Sequence, residues 1–269
     1  MPEFLVKWEV AQQFFQLATP EPETPRRIFE PWLSDSKQEP LASWRLTRNH
    51  DHWEVSELGS FQHLQAALLA VEYAAVVRLH RSQEVVVLHG SLLTQGLQAI
   101  LLLGPSNAGK STLAMALWKS GWSLLSDDVI ALRCGATTAW AGARRCSLRT
   151  SSREHLGDDL WARVLATPSA LVTEKGVSFH AFELEARAVQ VEVRPTHAFV
   201  VNESHGSLSK LTEADAILSL LPYSSVMQRG SMMRGIADLG PLLEGADVYR
   251  LGRQPLSQMV GAIEGTIRT

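Results

Sequence analysis

Cysteine is scarce in this 269-residue sequence, which has only Cys134 and Cys146. Two residues give no disulfide framework and their spacing gives no metal site, so both are expected as buried free thiols in a reducing cytoplasm. A surplus of one charge is also missing. The formal net charge of -3 offers no general attraction to nucleic acid or to an anionic membrane surface, so neither is expected as a partner. Long uncharged apolar runs are absent: Glu72 interrupts Ala66 to Val77, and Ala99 to Leu103 is short, which excludes a helical membrane span. Pro2, Glu3, Lys7 and Glu9 occupy the place of a signal peptide's apolar stretch, so no secretion is expected and the location is read as cytoplasmic. No internal repeat or low-complexity tract occurs. What is present, 45 % hydrophobic residues, suffices for a substantial core in a soluble globular protein.

Prolines 20, 22, 25, 31 and 40 prevent any long regular element early in the chain. Trp44, Leu46, Trp53 and Val55 alternate on either side of Asn49 to His52, the pattern of a half-buried hairpin. Residues 1–58 are therefore read as a small, mainly β N-terminal lobe, and 59–269 as the main domain. Ser60 is placed as the N-cap of an amphipathic helix whose apolar positions run from Phe61 to Leu79 at three- and four-residue spacing. Val85 to Leu93 and Leu97 to Leu103 read as an antiparallel hairpin turning at Thr94 to Gly96. Later signals are weaker. Thr138 to Leu148 and Ser169 to Leu184 look strand-rich, and Val189 to Val201 reads as one or two core strands broken at Pro195. Thr212 with Asp215 marks a helix start, and Leu256 to Ile267 a terminal amphipathic helix.

Gly104-Pro105-Ser106-Asn107-Ala108-Gly109-Lys110-Ser111 is a complete phosphate-binding loop, with Thr112 following. A triphosphate needs many donors at once, and a glycine-rich turn lets consecutive backbone N–H groups converge on its oxygens. Lys110 then places a cation on the β and γ phosphates, Ser111 a hydroxyl on Mg2+, and the helix starting there its positive dipole end. The context fits: a strand ends at Leu103 and a helix runs from Lys110 to Ser120, stopped by Gly121.

That helix rises roughly 16 Å, and strand Trp122 to Ser126 returns by a similar length. Asp127 and Asp128 thereby reach the sheet edge that carries the loop. One carboxylate can bind metal, and the other can accept a proton from an attacking hydroxyl. His89, set opposite about Leu101 by the hairpin register, is the third element, able to orient a phosphate or an acid, or equally to be a structural residue.

Leu88-His89-Gly90-Ser91-Leu92, the loop Gly104 to Ser111, and Gly121 to Asp128 together resemble the catalytic core of the HPr kinase/phosphorylase family in order and spacing, over roughly Val85 to Leu132. The resemblance implies an α/β fold with a P-loop kinase core of the HPr kinase and phosphoenolpyruvate carboxykinase type and a mixed sheet. It implies ATP and Mg2+ as cosubstrates and a serine hydroxyl of a peptide or small protein as acceptor. By motif, Asp128 matches the proton acceptor, His89 the active-site histidine, Lys110 the phosphate-binding lysine and Ser111 a magnesium ligand. Asp127, placed by position, is the second catalytic acid and metal ligand. The family's later signature, an acidic residue closely followed by Arg-Gly, has no clear counterpart; Ser147-Leu148-Arg149 and Glu154 match it only loosely. The chain thus looks more like divergent relatives, among which are kinases that modify the terminal serine of lasso peptides.

Other readings attach to other features. A nucleotide-driven ATPase or switch would need a signature that Thr173-Glu174-Lys175-Gly176 does not supply, and a catalytically silent regulator of a maturation pathway would keep the loop without the transfer. Arg144, Arg145, Arg149 and Arg153 form a basic cluster read as a solvated face. Met227, Met232 and Met233 are read as core filling, and His50-Asp51-His52 as a polar turn. Self-association into a homo-oligomer is compatible with all of these.

Overall fold

In the computed structural model, which describes residues 3–142, 145–185, 191–229 and 232–268, the early alternation of apolar residues becomes a five-stranded sheet. Its strands, in hydrogen-bonded order, are β1 (Phe4–Val10), β2 (Gln13–Thr19), β3 (Ala42–Asn49), β4 (His52–Val55) and β5 (Gly59–Phe61). The proline-rich stretch between β2 and β3 holds only the short helix α1 (Glu23–Ile28) and one 3-10 turn. Trp8 stacks on Phe29 with centroids 4.1 Å apart and on Phe15 at 5.6 Å, large rings that dominate burial beneath this sheet. The β3–β4 hairpin is the expected one, with Leu46 opposite Val55 and His50 at φ 49 in the turn.

The helix expected from Ser60 starts later. α2 spans Leu64–Arg81, because Ser60 and Phe61 are taken by β5, where Phe61 pairs with Trp53. The ladder with β4 and the cross-strand aromatic contact act together there, in place of a local helix cap. Val85 to Leu93 also divides, into β6 (Val85–Leu88) and β7 (Gly90–Gln95), with His89 between them. β8 (Gln98–Leu103) pairs with β7, and α3 (Lys110–Lys119) follows. The chain continues through β9 (Ser123–Ser126), β10 (Ile130–Arg133), β11 (Ala139–Ala141), β12 (Cys146–Arg149), α4 (Ser152–Leu156) and α5 (Asp158–Leu165). It then forms β13 (Leu171–Thr173), β14 (Gly176–Phe179), β15 (Glu192–Val193), β16 (His197–His205) and β17 (Ser209–Lys210). Last come α6 (Glu213–Leu220), α7 (Met232–Leu243), β18 (Asp247–Arg253) and α8 (Leu256–Ile267).

These elements make a mixed α/β fold. A six-stranded sheet runs β17-β18-β16-β8-β7-β9, a four-stranded one β15-β11-β10-β6, and a three-stranded one β12-β14-β13. β18, β16 and β8 are mutually parallel, and β7 lies antiparallel between β8 and β9. β9 therefore runs in the direction of β8, and the ends of β8, β9, β16 and β18 share one sheet edge with the start of β7. From Ala99 onward β8 is apolar because both of its faces are covered: Leu101 and Leu103 join the core under the N-terminal sheet and α2, whereas Ile100 and Leu102 join the core against α3 and α8.

The chain passes between the six- and four-stranded sheets at His89, from β6 to β7, and at Asp127 to Val129, from β9 to β10. Leu88 pairs with Ile130 and Leu92 with Ser126, so the two crossings lie side by side. Gly90 makes the first crossing fit, since a Cβ there would stand 2.4 Å from the Leu102 carbonyl oxygen and 2.6 Å from Leu103 Cδ2. Gly90→Ala is expected to lose about 2 kcal/mol or more of stability, because backbone must move to admit the methyl group. Urea unfolding measures this, and an unchanged midpoint would contradict it.

Other expectations fare variously. Thr212 caps α6, accepting a hydrogen bond from the Asp215 amide at 3.2 Å, and the terminal helix is α8. Cys146 is buried but Cys134 is half exposed, and neither is in a disulfide. Met227 and Met233, read as core, are instead 50 % and 76 % exposed. Val189, Arg144 and Gly230 lie outside the described residues, as does the side chain of Met232. Among the described residues no helix is long and apolar enough to cross a membrane.

Candidate functional site

Gly104 to Gly109 joins β8 to α3 by a turn whose left-handed positions explain its composition. Gly104 has φ 148, Asn107 φ 71 and Gly109 φ 88, values that glycine adopts freely and asparagine tolerates. At Gly104 a Cβ would also approach the Val201 carbonyl oxygen to 2.6 Å. The loop thus lies tight against β16, and its residues from Ser106 onward line the cleft together with the first turn of α3. Lys110 is only 7 % exposed, and its Nζ donates to the Gly104 and Pro105 carbonyls at 2.9 and 3.0 Å. Burial lowers its pKa, and the charges of Asp127 and Asp128 act against that lowering. Those two acids are therefore close enough to act on the lysine electrostatically.

Asp127 is 3 % exposed, a burial that a carboxylate tolerates only with hydrogen bonds. Ser91 Oγ donates to one of its oxygens at 2.6 Å and Ser111 Oγ to the other at 2.7 Å. The Cys146 thiol also lies in hydrogen-bonding contact with Asp127; burial pushes that thiol's pKa well up, and Asp127 adds to the effect. Cys146 is thus a protonated donor under the carboxylate and not a nucleophile.

Asp128 turns the other way. Its backbone has φ 71, which directs its side chain out of the crossing toward the cleft, and the side chain is 35 % exposed. His89 Nδ1 lies 2.8 Å from Asp128 Oδ1 and 3.2 Å from the Asp128 carbonyl oxygen. Both partners only accept, so Nδ1 carries the proton. The acid pair thus lies in the tight passage from β9 to β10. His89 also sits nearer the loop than the register opposite Leu101 would place it, because Gly90 already pairs with Leu103.

His89, Lys110, Ser111, Asp127 and Asp128 open into one cleft of about 720 Å³. Ser106, Asn107, Ala108 and Thr112 line it from the loop and α3. Its far walls, which sequence reasoning did not assemble, come from β12 and α4, through Ser147, Arg149, Ser152 and His155, and from the start of α8. Thr112 Oγ1 and Ser152 Oγ, 2.9 Å apart, tie α3 to α4. Ser91 belongs to the Leu88 to Leu92 segment that the sequence singled out, but no local signal marked it as a partner of Asp127. Cys146 carried no such signal. Among the described residues no group of three or more His, Cys, Asp or Glu side chains could enclose a metal.

The basic cluster does not hold as a solvated face. Arg149 lines the cleft and Arg153 pairs with Asp158 at 2.7 Å, but Arg145 is 1 % exposed. It faces buried Glu72, Nε to Oε2 at 3.4 Å, and donates to the Ser169 carbonyl; His180 Nε2 lies 3.2 Å from Glu72 Oε1. A carboxylate inside α2 is what draws the arginine in.

A scan against protein-family models gives no match, and a search of curated proteins gives none either. Among solved structures, the Hpr(Ser) kinase/phosphatase from Coxiella burnetii aligns over 68 % of this chain and 88 % of that one, with 17 % identity and a TM-score of 0.36. A likeness of that size carries no weight for function, which is read from the cleft's own side chains.

Proposed function

We propose that this chain is an ATP-dependent kinase that transfers the γ-phosphoryl group to a serine hydroxyl of a peptide or small protein. The observation that carries the reading is the Ser111–Asp127 hydrogen bond at 2.7 Å, with the neighbouring Asp128 exposed in the same cleft as Lys110. A hydroxyl at the start of a helix, bonded to a carboxylate at the end of the next strand, is a donor set suited to a hard divalent cation that takes its remaining ligands from phosphate and water. Mg2+ would be held by Ser111 Oγ and Asp127, and when bound it neutralises charge on the β and γ phosphates.

The loop amides and the α3 N-terminus bind the polyphosphate, and Lys110 meets its β and γ oxygens. Asp128, held by His89, accepts the proton of the acceptor serine as its Oγ bonds to the γ phosphorus. The bond from that phosphorus to the β–γ bridging oxygen breaks, and ADP leaves with the bridging oxygen. Asp128 and His89, at 35 % and 41 % exposure, are within reach of a hydroxyl carried on another chain. A ribosomally made peptide, such as a lasso peptide with a terminal serine, fits that openness.

Incubating the chain with Mg-ATP and serine-ended peptides, then locating phosphate by mass spectrometry, is expected to give one phosphoserine and none on the Ser→Ala peptide. Nucleotide binding without transfer to any acceptor would favour a silent regulator instead.

A further inference from the structure

The cleft extends well past the phosphate loop, and its two ends differ in chemistry. Along the sheet edge the order is β18, β16, β8, β7, β9. The acids stand at the β9 end. Four strand steps away, about 19 Å at ~4.8 Å per step, β18 ends at Arg253 and α8 begins, and Arg253, Gln254, Pro255 and Leu256 line the same cleft. Between these ends lies the loop.

The β18 end is a built corner. Gly252 lies so close to Gly206 that a Cβ would approach the Gly206 carbonyl oxygen to 2.5 Å. Gln254 Nε2 donates to that same oxygen at 2.8 Å. Pro255, at φ -49, then caps α8, and Leu256 packs half-buried against the core that also receives Ala108 of the loop. An apolar shelf thus adjoins the phosphate loop, edged by an exposed guanidinium and a half-buried amide. No carboxylate lies among those four residues.

Resting on the kinase reading, which places the γ phosphate at the Asp127 and Asp128 end, we propose that the opposite end is the nucleoside subsite: a purine lies on Pro255 and Leu256, with the Arg253 guanidinium against its face or edge. A flat π system fits an apolar shelf, and a planar guanidinium stacks on it favourably. The distance from Asp127 to this shelf suits an extended nucleoside triphosphate, whereas a bare polyphosphate does not reach it.

The test compares ATP with inorganic tripolyphosphate by calorimetry on the full chain. Leu256→Ser is expected to weaken ATP about tenfold, the loss of roughly one buried apolar contact. Arg253→Ala, at a position exposed on the cleft, is expected to weaken ATP by about three- to tenfold. Neither variant is expected to change tripolyphosphate affinity by more than about twofold, a difference too small to assign to a lost contact. Equal weakening of both ligands, or of neither, would overturn the subsite and leave the kinase reading standing. A raised KM for the acceptor peptide with unchanged ATP affinity would overturn it too, giving this end to the acceptor. Failure of wild type to bind either ligand would remove the nucleotide reading and the subsite together.

Discussion

Replacing Asp128 by asparagine is expected to lower kcat for phosphoryl transfer by about a thousandfold, the range that a general base supplies, while the Kd for ATP changes by less than about threefold. Asparagine suits the test. It tolerates the left-handed backbone that Asp128 adopts at φ 71, so the passage between the sheets is kept. It also preserves a side-chain oxygen for the proton on His89 Nδ1, 2.8 Å away, but it cannot take a proton from serine. Binding is spared because the loop amides and Lys110 are untouched. Single-turnover transfer measured beside calorimetry separates the two quantities. Transfer at the wild-type rate would remove Asp128 as the base, and a parallel collapse of ATP affinity would make it a binding residue.

The second large effect lies away from the cleft. Arg145→Ala is expected to destabilise the chain by about 3–5 kcal/mol, the penalty for leaving a buried carboxylate without its cation. In a chain of this size that corresponds to on the order of 10 °C in Tm. Glu72 is 0 % exposed and faces Arg145 at 3.4 Å and His180 at 3.2 Å. The double variant Glu72→Leu with Arg145→Met is expected to recover most of the loss, because neither charge then remains buried and both volumes are filled. Thermal and urea unfolding of the three proteins test this. A loss under about 1 kcal/mol for Arg145→Ala would mean that water reaches Glu72 and that the pair is effectively a surface one.

Much of the site's framework was legible because it is local. The loop needs glycines at φ 148 and φ 88, and those constraints act within a few residues. The helix after it and the returning strand follow from apolar periodicity, and that suffices to put Asp127 and Asp128 at the loop's edge of the sheet. Legibility failed where local preferences competed with distant partners. Phe61 fits the helical repeat of α2 but pairs with Trp53. Val85 to Leu93 is uniformly apolar, and nothing within that run announces that His89 leaves one sheet for another.

The charged residues show the limit most plainly. Arg144, Arg145, Arg149 and Arg153 look alike in a string of letters, yet Arg145 is buried, Arg149 borders the cleft and Arg153 pairs on the surface. His180, which completes the buried cluster, lies 108 positions from Glu72. The sequence by itself determined the phosphate loop, its flanking strand and helix, and the return of two acids to that edge, because backbone sterics and hydrophobic period act over one or two turns of chain. The tertiary structure alone decided that Asp127 turns inward to Ser91 and Ser111 while Asp128 turns out to His89, that α8 walls the far end of the cleft, and that Arg145 is interior. Those outcomes depend on which long-range neighbours satisfy or desolvate each charge, and no period or turn signal encodes that.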